Sequence, residues 1–313
     1  MDYRVRGYAS DADGERIRQF LRASRPAGVA CGEPWHVCDF DFWRWHYLPN
    51  VVERDPSETR IWEDASGEIA AVLNQGDPGV CHLHIASAAR SAALDEAMIV
   101  AAEETMTAET RDGRRVLWVW SGADADPVRE GVFRRRGYEI YDSPHAIEHY
   151  GHRALASPID DVPLPDGFAV RSMGGDEDLP ARSLASWRAF HPGESDDECD
   201  LSGDWYRNVQ RAPTYRRDFD IVVTAPDGAI ASFGLFFHDA PSRSAVAVLA
   251  GTATEHHRRG LAKAALTEGL RRLREAGATD AYVSWYEPPA GALYESVGLS
   301  ERAQGRAWRR YFE

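Results

Sequence analysis

The residues best suited to hold a charged ligand lie in one stretch, Ala250-Gly251-Thr252-Ala253-Thr254-Glu255-His256-His257-Arg258-Arg259-Gly260-Leu261-Ala262. It reads as the end of a strand, a turn, and the start of a helix predicted over Leu261–Ala276. The first amides of a helix have no internal partner, and the helix dipole adds about half a positive charge there. Glycine in the turn lets the backbone approach an anion, and successive amides then form a phosphate-sized nest. Arg258 and Arg259 add fixed positive charge in an otherwise acidic chain. The chemistry on offer is binding of a diphosphate. A basic turn closed by glycine also occurs as a plain helix start, so the surrounding elements carry the decision.

Those elements are readable. In the second half, Phe168–Arg171 is a predicted strand and Asp178–Phe190 a helix. Asp220–Thr224, Ile230–His238 and Ala245–Thr252 form an antiparallel run. The helix Leu261–Ala276 sets Ala262, Leu266, Leu270 and Leu273 on one face, with Lys263, Thr267, Arg271 and Arg274 opposite, and Gly277 ends it. Ala281–Tyr286 is nearly all apolar, as befits a strand covered on both faces. A short helix, Pro289–Val297, and a last strand near Ala307–Phe312 follow.

The same order occurs twice. Ser66-Gly67-Glu68-Ile69-Ala70 returns as Asp227-Gly228-Ala229-Ile230-Ala231, 161 residues later. Gly131-Val132-Phe133-Arg134-Arg135-Arg136-Gly137 parallels Ala292-Leu293-Tyr294-Glu295-Ser296-Val297-Gly298 at that same offset of 161. Two anchors at one spacing point to a duplicated unit. Between the copies, Ser157-Pro158-Ile159-Asp160-Asp161-Val162-Pro163-Leu164-Pro165 carries three prolines, which disfavour helix and central strand. The expected division is a first domain over 1–152, a linker over 153–166 and a second domain over 167–313. Each domain is α/β, with helices on a mixed sheet.

The turn His257-Arg258-Arg259-Gly260-Leu261-Ala262 resembles the acetyl-CoA loop of GNAT acetyltransferases, whose pattern is Arg/Gln-x-x-Gly-x-Gly/Ala. Further on, Glu287-Pro288-Pro289-Ala290-Gly291-Ala292-Leu293-Tyr294-Glu295-Ser296-Val297-Gly298-Leu299 is similar to that family's second signature, Asn-x-x-Ala-x-x-Leu-Tyr-x-x-x-Gly-Phe. The resemblance covers 167–313 well and 3–150 faintly. It implies two tandem GNAT-like domains with acetyl-CoA in the second. Ala250 and Thr252 would then bond the pantetheine arm through their backbone, His257 to Ala262 would cradle the diphosphate, and Tyr294 would protonate the departing thiolate. Two positions depart from the pattern: His257 replaces Arg or Gln, and Glu287 replaces the Asn that braces the cofactor. The implied reaction is transfer of an acetyl group to a primary amine by direct attack in a ternary complex. A non-catalytic acyl-CoA sensor of the same fold is the alternative.

An amine of pKa ~10.4 costs about 4.6 kcal/mol to deprotonate at pH 7. The strand before the loop carries no carboxylate, so Glu287, Glu255 and Glu198 are the candidate bases, each more readily read as a solvated acid. Glu194-Ser195-Asp196-Asp197-Glu198-Cys199-Asp200 lies between the two helices of the second copy. In the resembled fold that connection borders the acceptor groove, where acids would favour a small cationic amine. Cys199, set among acids, is a poor nucleophile.

The first copy lacks this chemistry. It has Phe133 where the second has Tyr294, and His84-Ile85-Ala86-Ser87-Ala88-Ala89-Arg90-Ser91-Ala92-Ala93-Leu94 where the phosphate turn should be. It reads as a scaffold. Arg134-Arg135-Arg136 is a solvated helix end, and a net charge of −14 excludes a partner held through nucleic-acid phosphates. Of 36 basic residues the one lysine is Lys263. Cys31, His36, Cys38, Cys81, His82 and His84 invite a zinc reading, but no tight Cys-x-x-Cys pair is present, and no metal is expected. Without an apolar signal core or membrane-length run, the expected location is the cytoplasm, where the cysteines stay reduced.

Overall fold

The computed structural model describes residues 3–25, 34–122 and 126–313. The first copy runs β1 Arg4–Gly7, α1 Asp11–Ser24, α2 Val37–Phe42, a π-helical turn Trp43–Tyr47, α3 Leu48–Asn50, β2 Arg60–Glu63, β3 Ile69–Gln75 and β4 Val80–Ile85. It continues with α4 Ala92–Thr105, β5 Ala108–Glu109, β6 Arg115–Ser121, α5 Pro127–Arg135, β7 Glu139–Ile140 and β8 Ile147–Ala154. The second repeats the order: β9 Ala169–Ser172, α6 Leu179–Phe190, α7 Asp204–Gln210, β10 Tyr215–Thr224, β11 Ile230–Asp239, β12 Ser244–Thr252, α8 Leu261–Glu275, β13 Asp280–Trp285, α9 Pro288–Ser296 and β14 Ser300–Phe312. The duplication read from the two anchors is therefore a duplication of elements. One hydrogen bond marks it: Ala86 N–H donates to Ala70 O as Ala253 N–H donates to Ala231 O, both at 2.9 Å.

The chain divides into two compact units that do not respect the expected boundaries. The first unit comprises Met1–Phe40, Val51–Tyr150 and Arg302–Glu313; the second comprises Asp41–Asn50 and Gly151–Glu301. Strand pairing accounts for the C-terminal exchange. Residues Arg306–Phe312 of β14 pair antiparallel with Arg115–Ser121 of β6, and the Trp308 ring lies 5.5 Å from that of Phe133. The Pro-rich stretch placed in the linker is also not free chain. Leu155 is fully buried in the core beneath α8, and Leu164 packs against Leu261 and Ala265.

The short segment Asp41–Asn50 is held within the second unit by polar and aromatic contacts. Asp41, buried, accepts from the Thr214 amide at 3.2 Å and its hydroxyl at 2.7 Å. Asn50 donates to Trp205 O at 2.9 Å and accepts from Asn208 Nδ2 at 2.9 Å. Replacing Asp41 by Ala leaves two buried donors of Thr214 without an acceptor. The expected cost is about 1–3 kcal/mol, a fall in Tm of roughly 2–10 °C by calorimetry. An unchanged Tm would mean that the segment is not part of this unit's fold.

Within the second unit the sheet order is β9-β10-β11-β12-β13, with residues 151–154 of β8 beyond β13. On one face α8 lies close: a Cβ on Gly234 would sit 3.2 Å from Leu266, and one on Gly269 would sit 2.4 Å from the Phe236 ring. Leu266, Leu270 and Leu273 are fully buried there, as the periodicity predicted, each worth about 1.5–3 kcal/mol. Thr267, expected outward, is buried as well. The other face carries α6, whose Ala189 would meet a Cβ on Gly251 at 3.0 Å.

Two irregularities shape the edge of β12. Leu235 faces Leu249 but Phe236 faces Ala247, so Val248 is an extra residue, a β-bulge. β12 and β13 pair in parallel only from Ser244–Asp280 to Val246–Tyr282, although both strands run on.

Candidate cofactor and active site

The turn before α8 has the backbone that a glycine-closed helix start requires. After a 3₁₀ turn at Thr254–His256, Arg258 and Gly260 both adopt left-handed conformations, with φ of 61° and 77°. A Cβ on Gly260 would meet nothing within 4 Å, so the glycine is required by its dihedral and not by crowding. No side chain caps α8, and its first turn holds no acid. Arg258 and Arg259 form no ion pair among the described residues, and Arg259 lies 5.8 Å from the Phe168 ring. By contrast Arg188, and Arg271 and Arg272 toward the other end of α8, are all paired with carboxylates. Bare amides, the helix dipole and two unpaired guanidinium groups thus coincide at one helix start.

The matching helix of the first copy is closed. Ser91 caps α4 by accepting from the Leu94 amide at 3.3 Å, and Asp95 occupies the first turn. Phe133, in place of Tyr294, is fully buried beside Tyr138 and Trp308. Arg134 pairs with Glu130, and Arg136 with Glu96 and Glu103, so this run is a solvated, self-neutralised helix end.

His257 explains its own departure from the motif. Its Nε2 lies 2.9 Å from Thr252 O, so the ring ties the end of β12 to the turn. Thr252 also meets Ser232 through their hydroxyls at 2.9 Å. Ala250 is partly buried against the core beneath α8.

Tyr294 sits on α9 with 9% of its surface exposed, its ring 5.9 Å from Trp285. Its hydroxyl makes no hydrogen bond among the described residues. Burial pushes the phenol up to about 12. Gly291, one turn earlier, is where α9 meets Trp285: a Cβ there would fall 2.5 Å from the indole nitrogen. Glu287 is the exposed N-terminal cap residue of α9, its carbonyl accepting from the Ala290 and Gly291 amides. A carboxylate at a helix N-terminus is favourable, which gives Glu287 a structural reason to be acidic.

Among the other acids, Glu255 is bound to Arg188 at 2.7 Å, and Arg188 also grips Asp196 at 2.6 Å. Ser195 O accepts from the Trp187 indole at 3.0 Å, so the acidic connection is moored to α6. Glu194, Asp197 and Glu198 stay exposed. A polar cup of about 310 Å³ is lined by Arg188, His191, Glu194, Asp196, Thr254 and Glu255. Burial, then Asp200 and Asp196, raises the Cys199 thiol.

Sequence reasoning gave no hint of a buried charged group beneath α6. Arg182 is fully buried over the Phe233 ring at 3.6 Å. Asp220 accepts from the Tyr206 and Tyr215 hydroxyls at 2.7 and 2.9 Å, and burial raises its carboxyl against the pull of Arg182. No motif marks these residues; alternation places Asp220 on an inward face of β10, which is the one signal the sequence held.

His36 Nδ1 accepts from the Cys38 amide, and Cys31 lies outside the described residues. Among the described residues no three His, Cys, Asp or Glu side chains are grouped to hold a metal. No helix among them is long and apolar enough to cross a membrane.

No family model matches the sequence, and no curated protein does. Solved structures do match. A GCN5-related N-acetyltransferase from Sphaerobacter thermophilus superposes with TM-score 0.65 at 16% identity, over 99% of this chain and 95% of its own. A tandem GNAT protein from the clavulanic acid biosynthesis pathway gives 0.65 at 14% identity, over 99% and 98%. A GNAT-family acetyltransferase from Colwellia psychrerythraea gives 0.60 at 12%, over 99% and 100%. With both copies matched end to end, this chain has the tandem GNAT fold.

Proposed function

We propose that the protein transfers an acetyl group from acetyl-CoA to a primary amine of a small cationic acceptor, using the second copy alone. The observation that carries this reading is the uncapped start of α8, where left-handed Arg258 and Gly260 and two arginines without an ion pair among the described residues follow the end of β12, beyond its pairing with β13. Acetyl-CoA supplies an activated acyl group and a diphosphate. His257 to Ala262 fit the diphosphate. Ala250 and Thr252, where β12 pairs with β11 but no longer with β13, would follow the pantetheine arm, with His257 holding the Thr252 carbonyl in place. Glu287 stands at the start of α9, the helix that carries Tyr294, with its carbonyl accepting from the Ala290 and Gly291 amides.

Tyr294 is better suited to hold a thiolate than to surrender its proton. Transfer from a phenol near 12 to a thiolate near ~8.5 is uphill by about 5 kcal/mol. A hydrogen bond donated from a nearly dry site stabilises the departing sulfur without that cost. Glu255 is committed to Arg188, which leaves Glu198 and Glu287 as acids able to take the amine's proton through water. Glu194, Asp197 and Glu198 draw a cationic acceptor toward the α6–α7 connection.

The test is acetyl-CoA consumption against spermidine, an aminoglycoside and a neutral primary amine. Acetylation should require the primary amine. kcat/KM for spermidine should fall about 3-fold or more between 50 and 300 mM salt and change little for the neutral amine. Tight acetyl-CoA binding with no turnover on any amine would leave a sensor of the same fold.

A further inference from the structure

The end of β8 has a use that no motif announced. Its last residues, 151–154, belong to the second unit, and they are fastened beside α9, the helix that carries Tyr294. His152 Nε2 lies 2.7 Å from Asp280 Oδ1 at the start of β13. The Leu155 amide donates to Thr279 O at 2.8 Å. A Cβ on Gly151 would fall 2.7 Å from the Trp285 ring and 2.9 Å from Leu299 O. Glycine is therefore what lets the strand end press on Trp285, the same ring that Gly291 and Tyr294 of α9 meet.

Arg153 holds the far end of α9. Its Nη1 donates to the Val297 carbonyl, at the C-cap of the helix, and its Nη2 donates to the Pro158 carbonyl. The last carbonyls of a helix have no internal partner, and a cation suits the negative end of the helix dipole. Gly298 makes room for the guanidinium. It is left-handed, with φ of 77°, and a Cβ there would collide with Arg153 Nη1. The closing glycine of the second signature thus answers both to a dihedral and to an arginine. Val297 stands one turn beyond Tyr294, and its amide donates to the Tyr294 carbonyl at 3.1 Å. One side chain therefore ties the C-terminal turn of α9 to the stretch between the copies.

Given the transferase reading, we propose that Arg153 is a positioning residue for Tyr294, fixing the rotation and depth of α9 so that the phenol meets the departing sulfur. Tyr294 is steadied at its ring by Trp285 and at its helix by Arg153. A misplacement of about 1 Å at a reacting group costs up to about 10²-fold in rate, and without its C-terminal tie α9 shifts across Trp285. Acetyl-CoA, held at the start of α8 and the end of β12, does not depend on this contact. The residues just before the second copy thereby take a part in its chemistry.

The test is a double-mutant cycle on the full chain with Arg153→Met, Arg153→Lys and Tyr294→Phe. Arg153→Met should cut kcat by about 10-fold or more and leave the acetyl-CoA dissociation constant within about 2-fold by calorimetry. Arg153→Lys keeps a cation for the Val297 carbonyl and should lose less than about 3-fold. Added to Tyr294→Phe, Arg153→Met should change kcat by less than about 2-fold, because no hydroxyl remains to be misplaced. A purely structural arginine would cost the same factor in both backgrounds. In NMR of the chain with isotope-labelled tyrosine, the Tyr294 resonance, identified by its absence from Tyr294→Phe, should shift in Arg153→Met. Should Arg153→Met fail to fold, Arg153→Gln, which keeps a donor without the charge, takes its place. The proposal is overturned if kcat is unchanged, if the loss persists in Tyr294→Phe, if acetyl-CoA affinity falls in step with kcat, or if the Tyr294 resonance does not move. A natural chain that turns over no amine, with that resonance still moved by Arg153→Met, would sink the transferase reading and leave the placement of Tyr294 by Arg153 standing.

Discussion

Gly260→Asp should lower acetyl-CoA affinity by about 100-fold, some 2.7 kcal/mol, with the fold retained. The left-handed dihedral at this position excludes most side chains, but Asp tolerates it better than nearly all others. Nothing within 4 Å opposes the added atoms. A carboxylate there would compete for the free amides of α8 and repel a diphosphate at the same point. Because acids stabilise helix N-termini, the variant's Tm should stay within a few degrees of the natural chain. Calorimetric titration with CoA and a thermal melt together decide the matter. Full affinity in a folded Gly260→Asp protein would remove the diphosphate from this helix start and with it the functional reading.

Tyr294→Phe should cut kcat by about 100-fold and leave the dissociation constant for acetyl-CoA within 2-fold. The hydroxyl has no hydrogen-bond partner among the described residues, and the ring fills its place against Trp285. Phe preserves that packing, as Phe133 does at the corresponding position of the first copy. A donor acting only on the departing sulfur affects the transition state and not ground-state binding. Removing one such donor typically costs 10²–10³ in rate. A shift of the phenol to about 12 carries a second consequence. The phenol stays protonated throughout the neutral range, so the rise of kcat/KM with pH should track the acceptor amine and persist unchanged in Tyr294→Phe. Steady-state thiol release from pH 6 to 10 measures both. An unaltered kcat would place the sulfur away from α9.

Much of this protein was legible in its residues because the informative features are local. The turn before Leu261 is defined by helix-start physics and a glycine with a positive φ, both properties of a few neighbouring residues. Helix α8 announced itself by the spacing of Leu266, Leu270 and Leu273. The duplication was visible because two short turns kept their residues at one offset. The difference between the copies was partly visible too, in Phe133 against Tyr294.

What only the tertiary structure decided depends on partners far apart in sequence. Residues Arg306–Phe312 complete the first unit's sheet through β6, and Asp41–Asn50 joins the second through Thr214, Trp205 and Asn208. No local pattern encodes which of two similar units a strand will join, since the alternation of side chains is the same for both. The bulge at Val248 and the early end of β12–β13 pairing are register properties, set by both strands together. The role of His257 needed the position of a carbonyl five residues away. The buried Asp220 could be seen as inward-facing by alternation, but its partners Tyr206 and Tyr215 meet it only once the sheet is folded. Sequence determined the elements and the local chemistry of the turn before α8. Long-range pairing determined which elements share a unit and which polar groups are sealed inside it, because hydrogen bonds between strands are made by geometry and not by residue type.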